Sequence, residues 1–178
     1  MRGLQERRAV TALTGQPAVS ERRGGPPTPA RRLLVAVVVV VVVVVVDQLS
    51  KWWAVTRLAD GSIHVIGTLD LELSRNTGAS FSLFQGEAFV LVPVAVVLVA
   101  VLLVMAWRAP TVGRAAILGL ILGGALGNLA DRFFRNDHGA VVDFVALHFW
   151  PTFNVADASI VMGCILLVIS LVRGPRPS

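Results

Sequence analysis

A single cysteine, Cys164, excludes an intramolecular disulfide, and its place inside an apolar run makes it a packing residue. The three histidines, His64, His138 and His148, lack metal-ligand spacing, and no His-Glu-x-x-His pair occurs. No Gly-x-Ser-x-Gly elbow offers a serine nucleophile. Ser50 and Lys51 are sequence neighbours, which on a helix do not face each other. No glycine loop follows a strand to cradle a phosphate. The residue patterns therefore carry no metal site and no cofactor.

What the chain has in excess is apolar residues: 55% of its 178 residues are hydrophobic. The mean hydropathy is +0.75, and the excess is gathered into runs, the pattern of membrane spans. The net charge of +5 does not mark a nucleic-acid surface. Seven arginines precede the first apolar run and no aromatic stacking residue lies among them, so they read as a topological signal.

Residues 1–30, rich in Gly, Pro, Ser, Thr and Arg, have too little apolar content to bury and read as a disordered tail. The first span starts at Leu33 and reaches about Val55, passing Asp47, Lys51, Trp52 and Trp53. Its valines favour strand by propensity, but in lipid a lone strand leaves its backbone groups unpaired, so a retained helix is expected. The second span is Ala88 to Trp107, and the third runs from about Ala115 to Ala130. In the third, Gly119, Gly123 and Gly127 line one face, where another helix can approach closely. The fourth is about Ala158 to Val172, extended at its start by Val155-Ala156-Asp157.

Four spans place both termini on one side. That side would hold eleven of the sixteen basic residues and only two acids, Glu6 and Glu21. Both termini are therefore expected in the cytoplasm, with the connections 56–87 and 131–156 outside. The first connection alternates around Gly67-Thr68, from Ile63 to Leu73, and predicts a small hairpin. The second reads as short and polar around Asn136-Asp137-His138-Gly139.

Ionisable residues at membrane depth are costly, and each is a functional candidate. Asp47, Asp131, Asp143 and Asp157 all fall at the outer ends of spans. Asp47 and Lys51 are spaced i, i+4 and can pair, and Asp131-Arg132 end the third span in a similar way. Asp157 opens a helix, where capping alone accounts for an acid. Asp143, between valines and a phenylalanine, has no such account. Two carboxylates in an apolar site cannot both ionise easily and share a proton, the arrangement of an aspartate dyad. A transporter relaying ions through its acids, or an assembly factor whose charges fix packing, remain alternatives at this point. The first predicts acids spread through membrane depth; the second predicts that Asp143→Asn is tolerated.

Five stretches in order resemble the lipoprotein signal peptidase (signal peptidase II) family. They are Asp47-Gln48-Leu49-Ser50-Lys51, Asn76-Thr77-Gly78-Ala79-Ser80-Phe81-Ser82, Gly123-Gly124-Ala125-Leu126-Gly127-Asn128-Leu129-Ala130-Asp131-Arg132, Val141-Val142-Asp143-Phe144 and Phe153-Asn154-Val155-Ala156-Asp157. The resemblance covers about residues 33–172 and leaves the tail outside it.

It implies an all-α membrane protein of four transmembrane helices with a small extracytoplasmic antiparallel β-sheet. Residues 31–173 would form the peptidase domain, between a cytoplasmic tail (1–30) and a cytoplasmic end (174–178). The implied enzyme is an aspartic endopeptidase without metal. Its partners are membrane lipid and prolipoproteins, cleaved on the amino side of a diacylglyceryl-modified cysteine. By motif, Asp143 and Asp157 match the catalytic pair. Asn76, Gly78, Asn128, Arg132, Asn154 and Ala156 match surrounding residues, and Asp47 and Lys51 a supporting pair. A monomer in the bacterial cell membrane, with its site near the outer face, is the expectation.

Overall fold

The computed structural model describes residues 28–77, 88–135 and 139–173. Helix α1 spans Pro29–Arg57. It opens with Thr28 as N-cap, whose hydroxyl accepts from the Arg31 amide at 3.4 Å, and with a proline in its first turn. That cap starts the helix inside the stretch read as tail. Its 29 residues make roughly 43 Å of helix at ~1.5 Å per residue, longer than the ~30 Å of a bilayer's hydrocarbon. Helix α2 is Ala88–Trp107, α3 is Val112–Phe134 and α4 is Val155–Val172. Three of them (α1, α3 and α4) are long and apolar enough to cross a membrane, judged over the described residues. The chain is a membrane protein.

Helix α3 lies between its neighbours, and glycine sets how near they come. A Cβ at Gly119 would stand 2.9 Å from Ala36 O, and one at Gly123 would stand 2.8 Å from Val43 Cβ. At Gly127 it would stand 2.6 Å from a carboxylate oxygen of Asp47. The glycine face read from the sequence is thus the seam with α1. Gly124, off that face, meets the Ala156 carbonyl and makes the seam with α4. Between helices in lipid there is no hydrophobic driving force, so close packing of this kind supplies the cohesion. Arginines fasten the opposite end of the bundle: Arg32 donates to Ala109 O at 2.8 Å, and Arg114 donates to Ser170 Oγ at 3.1 Å.

Strands β1 (Ile63–Ile66), β2 (Leu69–Asn76), β3 (Val141–Leu147) and β4 (Trp150–Phe153) form one antiparallel sheet in that order. The expected hairpin is β1–β2, turning through Gly67 at φ 58°. The second outer connection is not merely short and polar, for it supplies the other two strands. β3 is buried along nearly its whole length, so it carries a continuous apolar run without the alternation that marks a half-exposed strand. Phe144 packs with Ala54 and Leu58 at the end of α1, which seats the sheet on the bundle. Two histidines that lack metal-ligand spacing in the sequence meet on this sheet at one carboxylate: His148 Nε2 pairs with Asp70 Oδ2 at 3.0 Å, and His64 Nδ1 pairs with Asp70 Oδ1 at 2.6 Å. Bonds from His148, then His64, hold the Asp70 carboxyl below the usual carboxylate range.

Candidate active site

The carboxyl-terminal ends of α1 and α3, the start of α4 and strand β3 converge where the sheet meets the bundle. Asp143 stands on β3 opposite Ser74 of β2. Asn76, two residues along β2 and so on the same face, donates through Nδ2 to Asp143 Oδ2 at 3.1 Å. Asn154 is the N-cap of α4, fully buried, and donates to Asp143 Oδ1 at 2.6 Å. Its own Oδ1 accepts the Asp157 amide at 3.0 Å, while Asp157 Oδ2 accepts the Asn154 amide at 3.2 Å. This reciprocal capping box accounts for the acid in the first turn of α4. The other oxygen, Asp157 Oδ1, accepts from Asn128 Nδ2 of α3 at 2.8 Å.

The two carboxylates are thus connected by a pair of amide side chains, since Asn154 also donates to Asn128 Oδ1 at 3.1 Å. Asp143 is 1% exposed. Burial pushes its pKa up to about 6; the bond from Asn76 opposes this, the nearby Asp157 carboxylate adds to it, and Asn154 and Lys51 oppose it again. A carboxyl group of that kind keeps its proton well above the ordinary aspartate range and can donate it, while a neighbouring carboxylate accepts.

Behind the pair lies a buried ionic cluster. Lys51 Nζ contacts Asp47 Oδ2 at 2.8 Å, Asp131 Oδ2 at 2.9 Å and Asn128 Oδ1 at 2.9 Å, which uses all three ammonium donors. The expected Asp47–Lys51 pairing is present. The expected Asp131–Arg132 pairing is not: Asp131 is bonded by Arg135 Nε at 2.7 Å, one helical turn on, and by Gln48 Nε2 at 3.0 Å. Adjacent helix residues point apart, and i, i+4 residues meet. Arg132 instead donates back to Asn128 O within α3 at 3.3 Å. Ala156, fully buried, presents its amide to Asp47 Oδ1 at 2.9 Å. Gly78 lies outside the described residues. Sequence reasoning named Asp131 among the converging acids but did not bring Gln48 or Arg135 to it, although the Asp131/Arg135 spacing carries the signal.

A family model described as signal peptidase (SPase) II matches residues 39–173. The chain is 45% identical over 133 residues to the lipoprotein signal peptidase of Mycobacterium leprae (strain Br4923), covering 72% of this chain and 66% of the relative. To that of Rhodococcus jostii (strain RHA1) it is 46% identical over 138 residues, covering 74% of this chain and 69% of the relative. The chain spans about two thirds of the length of these curated relatives. A bacterial membrane enzyme solved by the in meso method at 1.9 Å superposes with a TM-score of 0.70 at 28% identity, covering 79% of this chain and 94% of that one.

Proposed function

This chain belongs to the signal peptidase II family of aspartic-type membrane proteases, and we propose that it cleaves prolipoproteins with Asp143 and Asp157 as its reacting pair. The observation that carries the proposal is the buried Asn154, which binds Asp143 through its amide nitrogen and the Asp157 backbone through its oxygen. In the proposed reaction Asp157 takes a proton from water as the water oxygen attacks the scissile carbonyl carbon. Asp143 gives its proton to the carbonyl oxygen. As the tetrahedral intermediate collapses the C–N bond breaks, the proton held by Asp157 goes to the leaving amine, and Asp143 takes back a hydroxyl proton as the C=O bond re-forms, which restores both aspartates. Asn76, Asn128 and Asn154 keep the carboxyl groups oriented, and Arg132 would orient the aspartates or the scissile amide.

Family membership supports a prolipoprotein substrate, and the cut proposed is on the amino side of a diacylglyceryl-modified cysteine. Its signal sequence is itself an apolar helix, and helix and acyl chains would reach the site laterally from the lipid. The arrangement we propose is a monomer with four membrane-spanning helices, α2 included, both termini cytoplasmic and the sheet at the outer face of a bacterial cell membrane. The test is cleavage of a diacylglyceryl-modified precursor by purified protein. Asp143→Asn and Asp157→Asn should each fold and each abolish cleavage, and the double variant should be little worse than either, as for residues acting as a unit. Near wild-type cleavage by Asp143→Asn would overturn the proposal.

A further inference from the structure

The two proposed reacting aspartates are each preceded by a residue whose backbone amide is held by a different buried acid. Val142, just before Asp143, donates its N–H to Asp131 Oδ2 at 3.1 Å. Ala156, just before Asp157, donates its N–H to Asp47 Oδ1 at 2.9 Å. Lys51 bonds both of these acids. We infer that Asp131 is a positioning residue for the reaction, forming with Lys51 and Asp47 a yoke that fixes the distance between the two reacting carboxyl groups through the backbone.

The local structure explains why a side chain is needed at Val142. β4 pairs with β3 only at Val145 and Leu147, so the edge of β3 is uncovered beside Asp143. There the Val142 N–H meets Asp131 and the Val142 carbonyl accepts from Asn154 Nδ2 at 3.2 Å. Both backbone groups of one strand residue are therefore held by side chains where a neighbouring strand would otherwise hold them. At the other arm, Ala156 lies in the first turn of α4, whose amides have no partner within the helix, and Asp47 takes one of them.

Charge balance indicates a geometric device. Asp47 and Asp131 carry two negative charges, and Lys51 and Arg135, both bonded to Asp131, carry two positive ones. Asp47, Lys51 and Asp131 are at most 1% exposed. The opposite charges largely offset one another, Lys51 being the least of the influences on Asp143 named above, while the short charge-assisted bonds hold position firmly. A purely stabilising cluster would not need both of its acids to end on the amide before an aspartate.

The inference rests on Asp143 and Asp157 being the reacting pair, so Asp143→Asn is assayed alongside. Asp131→Asn keeps an acceptor but loses the charge that Lys51 and Arg135 grip; Asp131→Glu keeps the charge and displaces the acceptor by a methylene. Each should lower kcat on the order of 10- to 100-fold with KM within about twofold, since small displacements of reacting groups are costly. In Asp131→Asn the Val142 amide proton resonance should move while that of Ala156 stays, and Asp47→Asn should give the reverse. Wild-type kcat in both Asp131 variants, with Asp143→Asn inactive, overturns the inference and leaves the dyad standing; an active Asp143→Asn removes the dyad itself. The wild-type protein gives a test independent of folding yield. Its Val142 and Ala156 amide protons should both be protected from exchange, and rapid exchange at Val142 overturns the yoke.

Discussion

Asn154 donates to Asp143 Oδ1 at 2.6 Å, one of the two shortest side-chain hydrogen bonds described in the protein, from the position that caps the helix carrying Asp157. Capping and alignment of the pair are therefore two duties of one carboxamide, and substitution can separate them. Asn154→Ser keeps an oxygen able to cap but has no amide to reach Asp143. Cleavage should fall at least about tenfold while the helix start is kept. Asn154→Ala loses both duties and should cost a further ~0.5–2 kcal/mol of stability. Thermal unfolding and cleavage rates of the two variants check this; equal cleavage by Asn154→Ser and the wild type would contradict it.

The raised pKa of Asp143 gives a pH dependence with a definite sign. The group keeps its proton in the folded protein to about pH 6, whereas the unfolded chain loses it near 3.8, the ordinary aspartate value. Through that window the folded state binds more protons, so stability should fall as pH rises. If Asp143 must be protonated to react, kcat/KM should decline on an alkaline limb with an apparent midpoint of about 6 that belongs to the coupled pair. Asp143→Asn should flatten the stability slope between those values. Measured unfolding free energies in that variant that track the wild-type slope would assign it to another group.

Two glycines of α3 predict opposite outcomes. A Cβ at Gly124 would press on the Ala156 carbonyl, a backbone atom beside the reacting pair. Gly124→Ala should therefore destabilise by about 1–3 kcal/mol and depress cleavage. Gly113, in the first turn of the same helix, has nothing within 4 Å of a built Cβ. Gly113→Ala should be neutral or stabilise by up to about 1 kcal/mol. Unfolding midpoints in one lipid or detergent system would show the contrast or refute it.

Membrane topology can be read with reporters. In the proposed four-span arrangement both termini lie on the arginine-rich side, so a fusion after Ser178 should report cytoplasm and an insertion at Asn136 should report the exterior. An external carboxyl terminus would remove the four-span arrangement.

The apolar runs were legible because lipid forces them to be helical, overriding the strand propensity of the valines between Val37 and Val46. The Asp47–Lys51 pair and the Gly119/Gly123/Gly127 face were legible because helical spacing fixes which side chains share a face. β3 was not, since a strand buried on both faces loses its period-two signature. Asp131 was assigned the wrong partner because a charged neighbour in sequence is conspicuous while the correct one lies a turn away. The bond from Ala156 N to Asp47, across 109 residues, leaves no mark on residue type at its donor end, because any amide except proline's would serve.

The i, i+4 ion pairs have a consequence for how the protein is made. α1 carries Asp47 and Lys51 on one face, and Asp131 of α3 pairs with Arg135, the residue that caps that helix. Each of these acids can enter the bilayer already paired with a base one helical turn away, sparing it a bare charge that costs ~2.5–3.5 kcal/mol on insertion scales. Neither has to wait for the other to be synthesised. When the helices meet, Lys51 takes Asp131 as a second partner, and two separate ion pairs become one ionic knot. The end of the bundle proposed to be active is therefore complete only once both helices are in place.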